Sequence, residues 1–100
     1  MFNYPNTTIG CTEAKQLVKE AAAQLLDVRT SLEYSQASIP GAVNVPLAAI
    51  QTATIKLDKS RPVIVFCRSG QRSANACVAL EGMGFNAVHD LGAITKYLNC

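Results

Sequence analysis

The sequence predicts an α/β fold in which most strands run parallel. Short apolar, β-branched segments alternate with segments of helical periodicity, which is the order of elements in a βαβ fold. The most apolar segment, residues 63–66 (VIVF), has the composition of a strand that a parallel sheet buries on both faces. A chain of 100 residues with 49% apolar residues has the size and composition of one hydrophobic core. Residues 1–100 are therefore expected to form a single domain.

Each element in the first half of the chain is predicted from a local pattern. Thr12 is the expected N-cap of the first helix. The apolar stripe of that helix consists of Ala14, Leu17, Val18 and Ala21. Thr30 and Glu33 have the spacing of a capping box for a short second helix. Three strands are expected here, at residues 7–9, 25–28 and 43–45.

The second half is predicted in the same way. Pro40-Gly41 marks a turn before the third strand, and Gly82 and Gly84 are expected to end the longest helix. The remaining helices are expected at residues 47–55, at 72–81 and after residue 91. The remaining strands are expected at residues 63–66 and 87–91, with a loop at 59–62.

The charge and hydropathy of the chain exclude several classes of partner. Charged residues make up 16% of the sequence and the net charge is +2, without a basic cluster on one helix, so nucleic acid is not expected to bind. No apolar run approaches the roughly 20 residues of a membrane span. The first ten residues lack a basic region followed by an apolar one, so no signal peptide is expected there.

The four cysteines do not have the spacing of a metal or redox motif. No pair forms C-x-x-C, and the single histidine, His89, is far from the nearest cysteine in sequence, so neither a metal nor a cofactor is expected. The apolar content can hold a core without disulfides, which predicts reduced thiols and a cytoplasmic protein. Cys11, Cys77 and Cys100 are interpreted as packed or exposed thiols, with a resolving role for Cys77 or Cys100 as the minor alternative.

Cys67 calls for a different interpretation. It follows the most apolar strand, at the end of a parallel sheet where ligands bind. A short glycine-containing loop leads from it into a helix, so backbone N–H groups, the helix N-terminus and two guanidinium groups can converge on an anion. The residues of this candidate anion-binding loop are Arg68, Ser69, Gly70, Gln71, Arg72 and Ser73. Such surroundings lower the pKa of a thiol and favour the nucleophilic thiolate.

The length of the loop indicates the chemistry. The C-x4-R spacing is one residue shorter than the C-x5-R loop of cysteine phosphatases, so the cradle suits one sulfur atom on Cys67 better than a tetrahedral phosphate. Sulfur transfer fits this size: the thiolate attacks the outer sulfur of thiosulfate, sulfite leaves, and a persulfide remains. Arg68 and Arg72 are candidates to bind the sulfonate oxygens.

The sequence resembles the single-domain rhodaneses, which are thiosulfate sulfurtransferases. The resemblance covers nearly the whole chain and is carried by three segments. They are LLDVRTSLEYSQASIPGAVNVPL, VIVFCRSGQRSANA and, before the last helix, the GF, AV, L and GA positions of residues 84–93. The second segment is similar to the active-site strand, C-R-S-G-x-R-S loop and helix start of the family.

The resemblance implies a five-stranded, mostly parallel sheet with helices on both faces. It implies that Cys67 carries the persulfide and that the backbone of residues 68–73 forms the cradle. The implied donor is thiosulfate, and the implied acceptor is a thiol, cyanide or a thioredoxin-like protein. Two departures stand out: Ser38 replaces a frequent histidine, and Gly92-Ala93 replaces a frequent Gly-Gly pair near a tryptophan that this chain lacks. They bear on substrate preference and rate more than on the reaction type.

Other polar residues near the loop also have structural interpretations. Arg68 could be a surface arginine paired with a carboxylate, and Ser69 and Ser73 could cap the helix as well as bind the sulfur. The polar residues after the second strand are expected to hold loops together by ion pairs and hydrogen bonds. They are Asp27, Arg29 and Glu33. His89 is interpreted as a satisfied histidine of the last strand.

Three alternatives to a general thiosulfate enzyme stay open. A phosphatase or arsenate reductase would need the longer loop of those relatives. A non-catalytic rhodanese-like interaction domain would more often lack the cysteine. A persulfide carrier for one specific protein acceptor would have the same sequence features as the general enzyme. Monomer and dimer are both compatible with the sequence.

Overall fold

The computed structural model describes residues 6–100, with the backbone alone at residues 6 and 7. These residues contain five strands: β1 (Asn6–Thr8), β2 (Gln24–Asp27), β3 (Val43–Asn44), β4 (Val63–Cys67) and β5 (Val88–Ala93). The α-helices are α1 (Cys11–Ala21), α2 (Ser31–Gln36), α3 (Ala53–Lys56), α4 (Gln71–Gly82) and α5 (Ile94–Leu98). A 3₁₀ helix, Leu47–Thr52, precedes α3.

The strands form one parallel sheet in the order β1-β5-β4-β2-β3. β4 therefore lies in the middle, between β5 and β2, and all five of its side chains are buried. This burial explains why its sequence is continuously apolar rather than alternating. The predicted α/β fold with a parallel sheet is confirmed, and the carboxyl ends of the strands meet at one edge.

Helices cover both faces of the sheet. Successive side chains of β4 point to opposite faces and all are apolar, so both faces need cover from water. On one face, Val63 and Val65 pack in a core with residues of α3 and α4, including Ala76 and Leu80. On the other face, the core includes Ile64 and Phe66 of β4 and residues of α1, β5 and α5. These members of the second core are Ala14, Leu91 and Ile94.

The helix starts agree with the sequence at α2 and differ at α1. The capping box is present: Glu33 N–H donates to Thr30 Oγ1 at 3.2 Å, and Thr30 N–H donates to Glu33 Oε1 at 3.0 Å. The N-cap of α1 is Gly10 rather than Thr12. Glu13 accepts a hydrogen bond from the Gly10 N–H at 3.1 Å, which satisfies a free N–H at the start of this helix. Thr12 accordingly lies inside the helix.

The expected helix at residues 47–55 is divided in two. The 3₁₀ helix contains a non-helical residue, Ala49, at φ −119° and ψ 26°, and α3 begins only at Ala53. The hydroxyl of Thr52 donates to the carbonyl of Ala49 at 2.8 Å. A threonine side chain that bonds the preceding turn competes with regular helical hydrogen bonds, which accounts for the division.

The prediction that Cys11 and Cys100 are thiols is wrong. They form a disulfide, with Cα atoms 6.1 Å apart across 89 positions of sequence. The bond joins the first turn of α1 to the residues after α5. Sequence spacing cannot reveal such a pair, because only the packing of α1 beside α5 brings the two residues together. Cys67 and Cys77 are free thiols and both are buried.

Within residues 6–100, no helix combines the length and the apolar composition that a membrane span requires.

Candidate active site

Cys67 is the last residue of β4, at the carboxyl edge of the sheet. Three residues separate it from α4, whose N-cap is Gly70. Gly70 has a φ of +104°, and Gly92, whose Cα lies 3.8 Å from where a Cβ of Gly70 would be, has a φ of +87°. Positive φ is easily adopted only by glycine, so both positions depend on the missing side chain. The tight return of the chain above Cys67 follows from this backbone geometry.

Two backbone N–H groups point at the sulfur. The Gly70 N–H donates to Cys67 Sγ at 2.9 Å, and the Ser73 N–H donates to it at 3.3 Å. Burial acts to raise the pKa of Cys67, but hydrogen bonds from Ser73, Gly70 and Ser69 outweigh it, so the pKa lies below its ordinary value. This shift makes the thiol easier to ionise, in the direction that the sequence predicts. The loop can therefore stabilise a negative charge on sulfur.

Ser73 has a second set of contacts that the sequence did not indicate. Its Oγ lies 3.0 Å from the Gly70 carbonyl oxygen and 2.8 Å from Asp90 Oδ1. Asp90 belongs to β5, which pairs with β4 next to the loop. Sequence reasoning missed Asp90, although an acidic residue in an apolar strand beside the nucleophile is a signal that could have found it.

Arg72 is held by a carboxylate rather than left open to a ligand. Its Nη1 lies 2.7 Å from Glu33 Oε1 and its Nη2 lies 3.1 Å from Glu33 Oε2. The hydrogen bond from Arg72 is the main reason that the pKa of Glu33 falls to about 2. The expected structural role of Glu33, an ion pair, is thus confirmed. The expectation that Arg72 binds a substrate anion stays a prediction, and such an anion would compete with Glu33 for the guanidinium group.

A second ion pair fixes the loop after β2. Arg29 Nη2 lies 2.7 Å from Asp27 Oδ2, and the pair is almost fully buried, as expected for residues that hold loops together. The hydroxyl of Ser38 donates to Asp27 Oδ2 at 2.8 Å. Asn44 donates to the carbonyls of both Asp27 and Arg29. The polar groups after β2, beside the candidate site, are therefore hydrogen-bonded to one another.

Arg68 faces a cavity of about 500 Å³ beside the loop. The cavity is lined by Arg29, Glu33, Gln36, Ala37, Arg68, Ile94 and Thr95. Among the described residues, Arg29 forms an ion pair with Asp27, and Arg72 forms one with Glu33. Arg68 takes part in neither of these two pairs. Gln71 is exposed at the first position of α4, and Ser69 is exposed in the loop.

Cys77 and His89 lie away from this cavity. Cys77 is buried in α4, and burial raises the pKa of its thiol, which suits the packed thiol that the sequence predicts. His89 lies on β5 and lines a different cavity, formed with α1 and the residues after β1. The structure therefore brings together residues 67–73, Glu33 and Asp90, and leaves the other cysteines and the histidine outside.

Comparison with known proteins agrees with this arrangement. Residues 11–100 match the family of the Rhodanese-like domain. A sulfurtransferase of Allochromatium vinosum is 39% identical over 67 residues, which cover 67% of this chain and 63% of that protein. The thiosulfate sulfurtransferase PspE of Escherichia coli is 36% identical over 76 residues, which cover 74% of this chain and 73% of that protein.

A solved structure of a rhodanese-related protein from Thermoplasma volcanium superimposes with a TM-score of 0.79. It is 28% identical and the match covers 93% of this chain and 91% of that chain. The parallel sheet, the cysteine loop and these matches agree, and the chain belongs to the rhodanese-like family. The chain spans less than two thirds of the Allochromatium relative, so that protein's activity enters below as a proposal.

Proposed function

We propose that this protein is a sulfurtransferase that carries sulfur as a persulfide on Cys67. The thiolate attacks the outer sulfur of thiosulfate, forming a new S–S bond to Cys67. The original S–S bond of thiosulfate breaks, and its electron pair leaves with sulfite. An acceptor thiol or cyanide then attacks the outer sulfur of the persulfide, and the bond electrons return to Cys67 as thiolate.

The observation that carries this proposal is the pair of N–H groups on Cys67 Sγ, from Gly70 and Ser73. The same donors would stabilise the cysteine thiolate that attacks and the thiolate that is restored at the end of the cycle. The N-terminal end of α4 adds partial positive charge at the same place. The lowered pKa of the Cys67 thiol reduces the need for a general base to ionise it.

Arg68 is the proposed anchor for the anionic donor. It lines the 500 Å³ cavity beside the loop, whereas the charge of Arg29 is neutralised by Asp27 and that of Arg72 by Glu33. A sulfonate group in this cavity would meet one unneutralised guanidinium, which can donate two parallel hydrogen bonds. The backbone of the loop is formed by Ser69, Gly70 and Gln71, and the N–H groups of Gly70 and Ser73 donate to the sulfur.

The alternatives differ in what they would require. A phosphatase would need Arg72 for the phosphate, and here Arg72 is already bound by Glu33. An interaction domain would not need a buried cysteine with a lowered pKa. A carrier for one protein acceptor uses the same Cys67 chemistry, so it concerns only the second half-reaction. The acceptor class proposed here is a thiol, a thioredoxin-like protein included, with cyanide as the laboratory substitute.

The cytoplasmic location stays a prediction, and the disulfide counts against it. That prediction rested on four reduced cysteines, whereas Cys11 and Cys100 are bonded. Disulfides persist mainly in oxidising compartments. Alkylation of the protein inside intact cells, before lysis, measures whether these two thiols are free. Free thiols support a reducing compartment, and blocked thiols support an oxidising one.

Thiocyanate formation from thiosulfate and cyanide tests the proposed activity. We expect turnover in the wild type and none in Cys67→Ala. Cys77→Ala is the matched control, because Cys77 is the other free cysteine but is buried in α4 away from the cavity. Equal turnover in Cys67→Ala and the wild type would contradict the proposal.

A further inference from the structure

One carboxylate beside the loop has no part in the chemistry described so far. Asp90 is half-buried on β5, and its Oδ1 lies 2.8 Å from the hydroxyl of the fully buried Ser73. Its backbone is fixed as well, since the Asp90 carbonyl accepts the Ile9 N–H at 3.1 Å. Asp90 contacts Ser73, and Ser73 in turn donates its N–H to Cys67 Sγ. A partly buried carboxylate this close to the nucleophile calls for an explanation beyond packing.

The sheet aims Asp90 at the loop. β5 pairs with β4 in register up to Val65 opposite Asp90, and then the register shifts so that Phe66 lies opposite Gly92. Leu91 is the additional residue, and such a bulge redirects the strand next to it. The neighbouring Val88 packs in the core under α4, and Asp90, two positions later, faces the same side and reaches Ser73.

The Ser73 hydroxyl has one proton and more than one acceptor. From this hydroxyl oxygen, Asp90 Oδ1 lies at 2.8 Å and the Gly70 carbonyl oxygen at 3.0 Å. A hydrogen bond from the same hydroxyl to Cys67 would lower the pKa of the thiol, but its one proton cannot serve every acceptor at once. A carboxylate accepts more strongly than a carbonyl, and it is the nearer of the two oxygens. The proton is therefore expected on the side of Asp90.

We propose that Asp90 is a positioning residue that withholds the Ser73 hydroxyl proton from Cys67. The sulfur then receives hydrogen bonds from backbone N–H groups and keeps a lone pair free for the donor. A thiolate with fewer hydrogen bonds is the stronger nucleophile, because nucleophilicity rises with basicity. This inference rests on the proposed function, since it concerns the reactivity of the same thiolate.

Other charged or titratable groups around Cys67 are constant in the test. Arg72 and Cys77 lie on α4, and Asp27 and Arg29 lie at the end of β2. Arg72 stays bound to Glu33 and Arg29 to Asp27. A change in Cys67 that depends on both Asp90 and Ser73 therefore reports on their hydrogen bond.

The test is a double-mutant cycle on thiol reactivity. The rate of alkylation of Cys67 by iodoacetamide is measured against pH in the wild type, Asp90→Asn, Ser73→Ala and the double variant. In Asp90→Asn the new amide can donate to Ser73 Oγ, which frees the hydroxyl proton. The charged thiolate then competes for it with the neutral Gly70 carbonyl and is the stronger acceptor. We expect the midpoint of the profile to fall by about one pH unit, the effect of one hydrogen bond to a charged group. The limiting rate at high pH should fall with it.

The Ser73→Ala background separates this hydrogen bond from the simple loss of a charge. There the same Asp90→Asn change should move the midpoint by clearly less, because no hydroxyl remains to turn. If Asp90→Asn shifted the midpoint equally in both backgrounds, Asp90 would act on Cys67 only through its charge. If the midpoint did not shift in either background, Asp90 would have a purely structural role. Both results would overturn the proposal.

Ser73→Ala from the same cycle and one further variant keep the test decisive if Asp90→Asn does not fold. Ser73→Ala alone should leave the midpoint almost unchanged, because in the wild type the Ser73 hydroxyl donates its proton to the Asp90 carboxylate and not to the sulfur. A rise of about one unit would mean that the hydroxyl already bonds the sulfur, contrary to the proposal. Asp90→Glu, which keeps a carboxylate, should retain the wild-type profile. Alkylation uses no sulfur donor, so this inference and the proposed sulfur transfer can fail independently.

Discussion

At the scale of single residues, the site depends on where backbone N–H groups point. Gly70 combines a φ of +104° with the shorter of the two hydrogen bonds to Cys67 Sγ. Any other residue at this φ strains the backbone, so the sequence Ser69-Gly70-Gln71 allows a turn that an alanine would oppose. The sequence predicted this role for the glycine, because a short loop between a strand and a helix has few other ways to turn. It could not predict the contact between Asp90 and Ser73, because that contact depends on the register of two strands.

Gly70→Ala should destabilise the protein and weaken the thiolate. The left-handed conformation costs a non-glycine residue about 1–2 kcal/mol of unfolding free energy. Any relaxation of the loop also moves the Gly70 N–H from the sulfur, which raises the pKa of Cys67. Chemical denaturation and the pH profile of Cys67 alkylation measure the two effects.

Gly82→Ala is the matched control for that substitution. Gly82 lies at the end of α4 without a positive φ, and a Cβ there has no heavy atom within 4 Å. Alanine should therefore stabilise this helix by about 0.5–1 kcal/mol and leave Cys67 unchanged. If both glycine variants behaved alike, the backbone argument for Gly70 would be wrong.

At the scale of elements, the site is a junction between β4, α4, α2 and β5. The sequence predicted β4 and α4 closely, because a continuous apolar run indicates a buried strand and the glycines at 82 and 84 mark the end of a helix. It predicted the start of α2 from Thr30 and Glu33, whose spacing carries its own hydrogen bonds. It failed at the 3₁₀ helix Leu47–Thr52, where a threonine side chain decides the geometry, and it did not indicate that Glu33 would reach Arg72.

The Arg72–Glu33 pair between α4 and α2 should make stability depend on pH. The pKa of Glu33 is about 2 in the folded protein, below the ordinary value of 4.5. Its contribution is therefore complete above pH 4.5 and is lost as the pH falls towards 2. We expect the unfolding free energies of the wild type and Glu33→Gln to differ most at neutral pH and to converge in acid. Urea denaturation at a series of pH values measures this.

Glu20→Gln on α1 is the control for that series. The Glu20 carboxylate faces the side-chain amide of Gln16 rather than a cation. A difference for Glu33→Gln that stayed constant from neutral pH to pH 2 would argue against the ion pair as its cause.

At the scale of the whole molecule, long-range contacts supply what the sequence did not predict. The disulfide between Cys11 and Cys100 closes a loop of 89 positions and fastens α1 to the residues after α5. Ile94 and Thr95 at the start of α5 line the cavity beside Cys67, so the bond also restrains one wall of the candidate site. Neither cysteine belongs to a local motif, and only the folded arrangement of α1 and α5 makes them partners.

Removal of the disulfide should lower the free energy of unfolding by about 2–4 kcal/mol, mainly because the unfolded chain gains freedom. Cys100→Ser in denaturant measures this effect. Added reductant should destabilise the wild type and leave the variant unchanged. Cys77→Ser is an unsuitable control because it would place a hydroxyl in the core, where Cys77 is fully buried. Cys11→Ser, which breaks the same bond from its other end, is compared instead. Equal stability of Cys100→Ser and the wild type under oxidising conditions would contradict a stabilising disulfide.

The most direct measurement is the intact mass of the protein after incubation with thiosulfate, for the wild type and Cys67→Ala. We expect that the wild type gains the mass of one sulfur atom, that cyanide or a dithiol removes it, and that Cys67→Ala gains nothing. A folded wild type with a free Cys67 that gains no sulfur would contradict thiosulfate as the donor. A gain that persists in Cys67→Ala would contradict the assignment of the persulfide to Cys67.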